Sequence, residues 1–148
     1  RTMAKANISE QQKQKFRLLT DKYGLDKDDF FQAPQGFVII TRTGIEKIQR
    51  GLEMVVQYEV VDTLCNVESG HYVIKAVAVR STTFMNEKTG KPGEVQHYVE
   101  SYGEASPKNC RNAYPVAMAE KRALSRVVLK SADLYEMGIY GEDEIENS

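Results

Sequence analysis

The sequence predicts an α+β domain: an antiparallel three- or four-stranded sheet, in β-β-β-α order, packed on one long C-terminal helix, with short N-terminal helices ahead of it. Three observations carry that expectation. The middle of the chain alternates apolar and polar residues at the two-residue period of a strand. Clusters of turn-forming residues interrupt that stretch twice. After residue 114 the apolar residues change to helical spacing and keep it for about five turns.

Taken in order, Ser9 and Gln12 make a capping box, opening a helix that Gly24 ends after Tyr23. Residues 25–35, with "DKDDF" and Pro34, read as a loop or single turn. "GFVIIT" (36–41) is a short apolar run that suits a strand. Thr43 with Glu46 repeats the capping pattern, so a short helix is expected over 44–50, closed by Gly51. "MVVQYEVVDTL" then sets Val56, Tyr58 and Val60 against Gln57 and Glu59, the alternation of a half-buried strand. "HYVIKAVAVRSTTF" is rich in β-branched residues, and "NVESGH" supplies the turn before it. "NEKTGKPGE" is a longer connection into "EVQHYVESYG", a third strand of the same kind. Pro115 suits the first helical position, where its missing N–H costs nothing. Val116, Ala119, Ala123, Val127 and Leu134 then fall on one line, with Ala117, Leu124, Val128 and Tyr135 beside it, predicting a helix over 114–135. A helix laid on one sheet face gives a two-layer domain.

The chain of 148 residues, 41% apolar and 28% charged, is long enough to bury one core. One domain over 1–141 is expected, followed by an acidic, flexible tail at 142–148. No apolar run approaches the length of a membrane span, and no secretory signal is visible, with Met3 the expected initiator after Arg1 and Thr2. Cys65 and Cys110 lack metal-binding spacing and read as reduced thiols of a cytoplasmic protein.

The formal charge of −1 hides an asymmetry. Residues 105–132 carry Lys108, Arg111, Lys121, Arg122, Arg126 and Lys130 against Glu120 alone, a local charge of +5. Arg122, Arg126 and Lys130 fall at i, i+4 and i+8, a basic ridge flanking the apolar stripe without acidic partners at that spacing. Such a ridge is either a solvated face or a contact for a polyanion. Glu120 lies about 40° around the helix from Val116; inside the stripe it needs a partner, and a structural salt bridge is the expected one. The loop "SYGEASPKNCRNAYP" brings Lys108 and Arg111 to a helix N-terminus, which favours anions. Tyr102 and Tyr114 flank that loop as candidate stacking rings for single-stranded nucleic acid.

Enzymatic motifs are sparse. There is no G-x-S-x-G, phosphate-binding glycine loop or H-E-x-x-H. His71 and His97 sit in separate predicted strands, where packing or surface roles outweigh catalysis or metal binding. Glu94, Glu100 and Glu104 could in principle hold a divalent metal for phosphodiester cleavage, but their spacing is not specific and solvent-exposed strand faces account for them better.

A β-β-β-α order, a strand ending in "YGEA", a basic loop and "AEKRALSR" on a long helix together resemble the single-strand annealing proteins of recombination, the Rad-fifty-two group and its small phage-encoded relatives. The resemblance covers about residues 36–144 and is sharpest at Tyr102-Gly103 and at "KRAL", Lys121 to Leu124. It implies single-stranded DNA binding and strand annealing without cofactor or ATP, with Lys121, Arg122 and Arg126 as phosphate contacts. Lys130, Lys108 and Arg111 would join them in a groove between helix and sheet, and Arg42, Lys47 and Arg50 near the second helix would extend the path. The expected partners are single-stranded DNA, further copies of the chain, and a replication or repair protein recruited by the acidic tail, with no membrane. Two other readings stand beside it: a metal-dependent nuclease using strand acids, and a small protein–protein adaptor.

Overall fold

The computed structural model describes residues 10–144; the capping box expected at Ser9 and Gln12 and the tail residues 145–148 lie outside the described residues. The fold is α+β and contains two three-stranded sheets. Helix α1 (Glu10–Tyr23) is followed by a 3-10 turn (Lys27–Asp29), β1 (Phe30–Gln32), β2 (Val38–Ile40) and α2 (Arg42–Gly51). Three longer strands follow, β3 (Val55–Val60), β4 (Tyr72–Met85) and β5 (Pro92–Ala105), then α3 (Pro115–Ser131) and β6 (Ile139–Gly141). A final 3-10 turn spans Glu142–Glu144. No helix among the described residues is long and apolar enough to cross a membrane.

The main sheet is an antiparallel meander in the order β3-β4-β5. Its register places Tyr58 opposite Ala76 and Ala76 opposite Ser101, so one face presents Val56, Tyr58, Val60, Ile74, Ala76, Ala78, Val99, Ser101, Gly103 and Ala105. Helix α3 lies on the β4 and β5 part of that face. Small residues let it approach closely: Ala119 and Ala123 of the helix meet the strip of Ala76, Ala78, Ser101, Gly103 and Ala105, all buried. A Cβ built on Gly103 would stand 2.0 Å from the Ala119 carbonyl oxygen, so the helix backbone rests directly on this residue. Ile40, Ile45 and Ile48 of β2 and α2, with Ile139 of β6, close the core behind the helix.

The long helix is shorter than its periodicity suggests and does not end the chain. Asp133, with a left-handed φ of 57°, turns the backbone after Ser131, and Leu134 drops into the core from outside the helix. Its apolar residue thus kept the helical spacing without the helix. The chain then returns along β2 as β6, parallel to it, while β1 pairs antiparallel on β2's other side. Three-residue strands carry too little alternation to announce this second sheet. Helix α2 is capped by Thr41, whose hydroxyl accepts from the Gly44 N–H, and not by Thr43 as its spacing to Glu46 suggested.

Two further expectations are corrected. Glu120 is exposed, because the buried side of α3 is centred on Ala119, Arg122 and Ala123, while Val116, Ala117, Glu120 and Lys121 lie on the open side of its first two turns. Centring the stripe on Val116 placed Glu120 inside it. The acidic segment is also not a flexible tail as far as residue 144. Glu142 accepts the Arg42 backbone N–H at 2.7 Å, Asp143 is buried, and Glu144 accepts the Tyr135 hydroxyl and faces Arg126. Burial pushes both the Asp143 and Glu144 carboxyls above their ordinary range, against the pull of Arg42 on the first and of Tyr135 and Arg126 on the second.

Candidate nucleic-acid interface

The basic ridge of α3 faces the open edge of β5. In an antiparallel strand alternate residues turn their backbone groups away from the neighbouring strand. On β5 these include Glu100, Tyr102 and Glu104, and the ridge meets their carbonyls in turn. Arg122 Nη1 donates to the Glu104 oxygen at 2.9 Å, Arg126 Nη1 to the Tyr102 oxygen at 2.6 Å, and Lys130 Nζ to the Glu100 oxygen at 3.1 Å. The match is geometric: four helical residues advance about 6 Å, and two strand residues about 6.6 Å. A helix antiparallel to the strand therefore meets every second carbonyl with every fourth side chain. The result closes the stretch over residues 100–104 of a sheet edge that would otherwise invite pairing with another chain.

Arg122 is the most committed of the three. It is only 3% exposed, and its guanidinium also donates to the Asp143 carbonyl at 2.8 Å, to Asn109 Oδ1 at 3.0 Å and to the Asn109 carbonyl. The phosphate role implied for Arg122 is therefore corrected: the guanidinium is buried and makes four N–H bonds to protein oxygens, so it is not presented to a ligand. Arg126 forms a two-pronged pair with Glu104, both bonds 3.1 Å, with Glu144 3.8 Å from its Nε. Lys130 remains exposed beside its single carbonyl partner.

The cations near α2 are also partly engaged. Lys47 sits 2.8 Å from the buried Asp29 carboxylate and 3.5 Å from Asp26, and the Asp29 bond raises its affinity for the proton. Arg42 lies 3.9 Å from Glu46 and 3.8 Å from Asp143. Arg50 is exposed at the end of α2.

What stays available is the loop between β5 and α3 with the first turns of the helix. Lys108 and Arg111 are exposed and have no hydrogen-bond or ion-pair partner among the described residues. Lys121 is exposed on the helix two turns further on. The loop carrying the first two is held in shape. Asn109 Oδ1 accepts the Ser106 N–H at 2.9 Å, Asn112 Oδ1 accepts the Tyr114 N–H at 2.8 Å, and Arg122 grips Asn109 from beneath. Tyr114, 72% exposed, stands at the N-cap without a side-chain cap bond, leaving that helix end open to an anion. Tyr102 projects from the sheet face opposite the helix, as does Tyr98, which no motif in the sequence marks. Residue parity along β5 is the signal that joins them: both are even-numbered, like the residues whose carbonyls the ridge holds.

The two histidines do not converge. His97 Nε2 lies 2.9 Å from Thr82 Oγ1 within the β4–β5 ribbon, whereas His71 sits at the turn before β4, in a bridge with Asn66. Among the described residues no group of three or more His, Cys, Asp or Glu is placed to hold a metal ion. Glu100 pairs with Lys75 at 3.4 Å and Glu104 with Arg126. No family model, curated protein or solved structure matches the chain.

Proposed function

We propose that the protein binds single-stranded DNA and promotes annealing of complementary strands. The observation that carries this reading is the pair of cations without a partner among the described residues, Lys108 and Arg111, held on a braced loop beside the exposed ring of Tyr114. Lys121 and Arg50 add exposed charge, and Tyr98 and Tyr102 offer faces for base stacking. The mechanism is physical. Cations neutralise phosphates and release their counterions, rings hold bases unstacked from one another, and the outward base edges stay open to a complementary strand. The resemblance to annealing proteins at Tyr102-Gly103 and "KRAL" points the same way, with the phosphate contacts moved from the ridge to the loop.

The test mixes two complementary fluorescent oligonucleotides with and without the protein and follows duplex formation. Binding of the single strand, faster annealing at low salt and its loss as salt rises are the expected results. The absence of any single-strand binding at low salt would reject the reading in favour of an adaptor, and cleavage of the strands in Mg²⁺ or Mn²⁺ would favour a nuclease.

A further inference from the structure

The two edges of the main sheet are treated differently. The β5 edge is closed over residues 100–104 by Arg122, Arg126 and Lys130. The β3 edge, at the other end of the strand order, has no strand paired to it among the described residues. Its protection is slight: β3 carries one charge, Glu59, contains no lysine and no proline, pairs with β4 without a bulge, and exposes Val55, Tyr58 and Val60. The Val61 N–H bonds to the Val73 carbonyl, so the odd-numbered residues of β3 face β4 and Val56, Tyr58 and Val60 turn their backbone groups outward.

We propose that two copies of the chain pair through β3, antiparallel about a two-fold axis at Tyr58, joining their sheets into one. A second copy's β5 edge is covered by its own helix over residues 100–104, whereas its β3 edge is open along its whole length among the described residues. A like-with-like edge contact is a closed, two-fold arrangement.

The register follows from the residues. Pairing even-numbered residues with even-numbered ones keeps both α3 helices on the same side of the joined sheet. Centred on Tyr58, the two strands exchange about six backbone hydrogen bonds, against about four when centred on Gln57. Tyr58 then faces the partner's Tyr58, and Val56 faces the partner's Val60 on both sides of the axis, an apolar strip on the helix side. On the other face Gln57 meets the partner's Glu59, which avoids like charges. Centring on Glu59 would set two carboxylates against each other. This inference rests on the edge alone and holds whether or not the protein binds DNA.

The experiment is cysteine cross-linking with sizing by light scattering. Residues opposed across the axis in a hydrogen-bonded pair have Cα atoms about 5.5 Å apart, within disulfide reach. Tyr58→Cys should therefore form a covalent dimer under mild oxidation. Gln57→Cys, which would face a partner residue other than its own equivalent, should stay at the background set by Cys65 and Cys110 in the unsubstituted chain. The unsubstituted protein should be dimeric at micromolar concentration, and Val60→Lys, a charge on an exposed position, should be monomeric with an unchanged circular dichroism spectrum. A monomeric unsubstituted chain, a dimer that survives Val60→Lys, or cross-linking of Gln57→Cys in preference to Tyr58→Cys would overturn the proposal.

Discussion

Replacing Gly103 with alanine is expected to leave little folded protein. The new methyl would meet the Ala119 carbonyl oxygen at 2.0 Å and the Ala123 nitrogen at 2.5 Å, both helix backbone. Neither can swing aside as a side chain would. Helix α3 would have to lift from the sheet, opening its contacts with Ala76, Ala78 and Ser101 and lengthening the ridge bonds to β5. The expected loss is more than about 4 kcal/mol, a large share of the roughly 5–15 kcal/mol that holds a domain together. Gly93→Ala is the matched control in the same strand. There the nearest obstacle is the Phe84 ring tip at 2.4 Å, on an exposed side chain that can turn away. Denaturant unfolding of the two variants measures the difference; equal midpoints would refute the close packing.

Arg122→Met is expected to cost about 3–5 kcal/mol, the range for removing one member of a buried charged network. Methionine keeps much of the apolar stem but supplies no donor. The Glu104, Asn109 and Asp143 carbonyls then lose their guanidinium partner, and the loop loses its grip on α3. Lys130→Met removes a similar stem and charge from an exposed site with one carbonyl contact, and should change stability by less than about 1 kcal/mol. Urea denaturation of both variants checks the ordering. If Arg122 were a solvated member of a uniform ridge, the two changes would cost the same.

The contrast between Arg122 and Lys130 also shows where the sequence is legible. The ridge itself can be read from a spacing of four, and the sheet from the alternation around Tyr58 and Lys75. What the ridge faces cannot be read, because the carbonyls of Glu100, Tyr102 and Glu104 have no side-chain signature, and helix–strand docking fixes their distance. Only the coincidence of four helical and two strand residues hints at it. The acids at 142–144 looked like a solvated tail for a related reason: their partners Arg42, Arg122, Arg126 and Tyr135 lie elsewhere in the chain and meet them only through β6. Gly103 stood out as part of a motif, yet its reason is the helix backbone above it. Lys108, Arg111 and Tyr114 were legible together because they share one short loop.

The measurement that tests the account most directly is a salt series of single-stranded DNA dissociation constants for two double variants, each shown to be folded by circular dichroism. The cations are divided here between an edge-closing ridge and an open loop, and the logarithmic salt slope counts the phosphate contacts each group makes. Lys108→Ala with Arg111→Ala should weaken binding and flatten the slope by about 1.4, roughly 0.7 for each lost contact. Arg126→Gln with Lys130→Gln should lower stability and leave the slope as it was. A slope that flattens for the ridge pair and not for the loop pair would contradict the account.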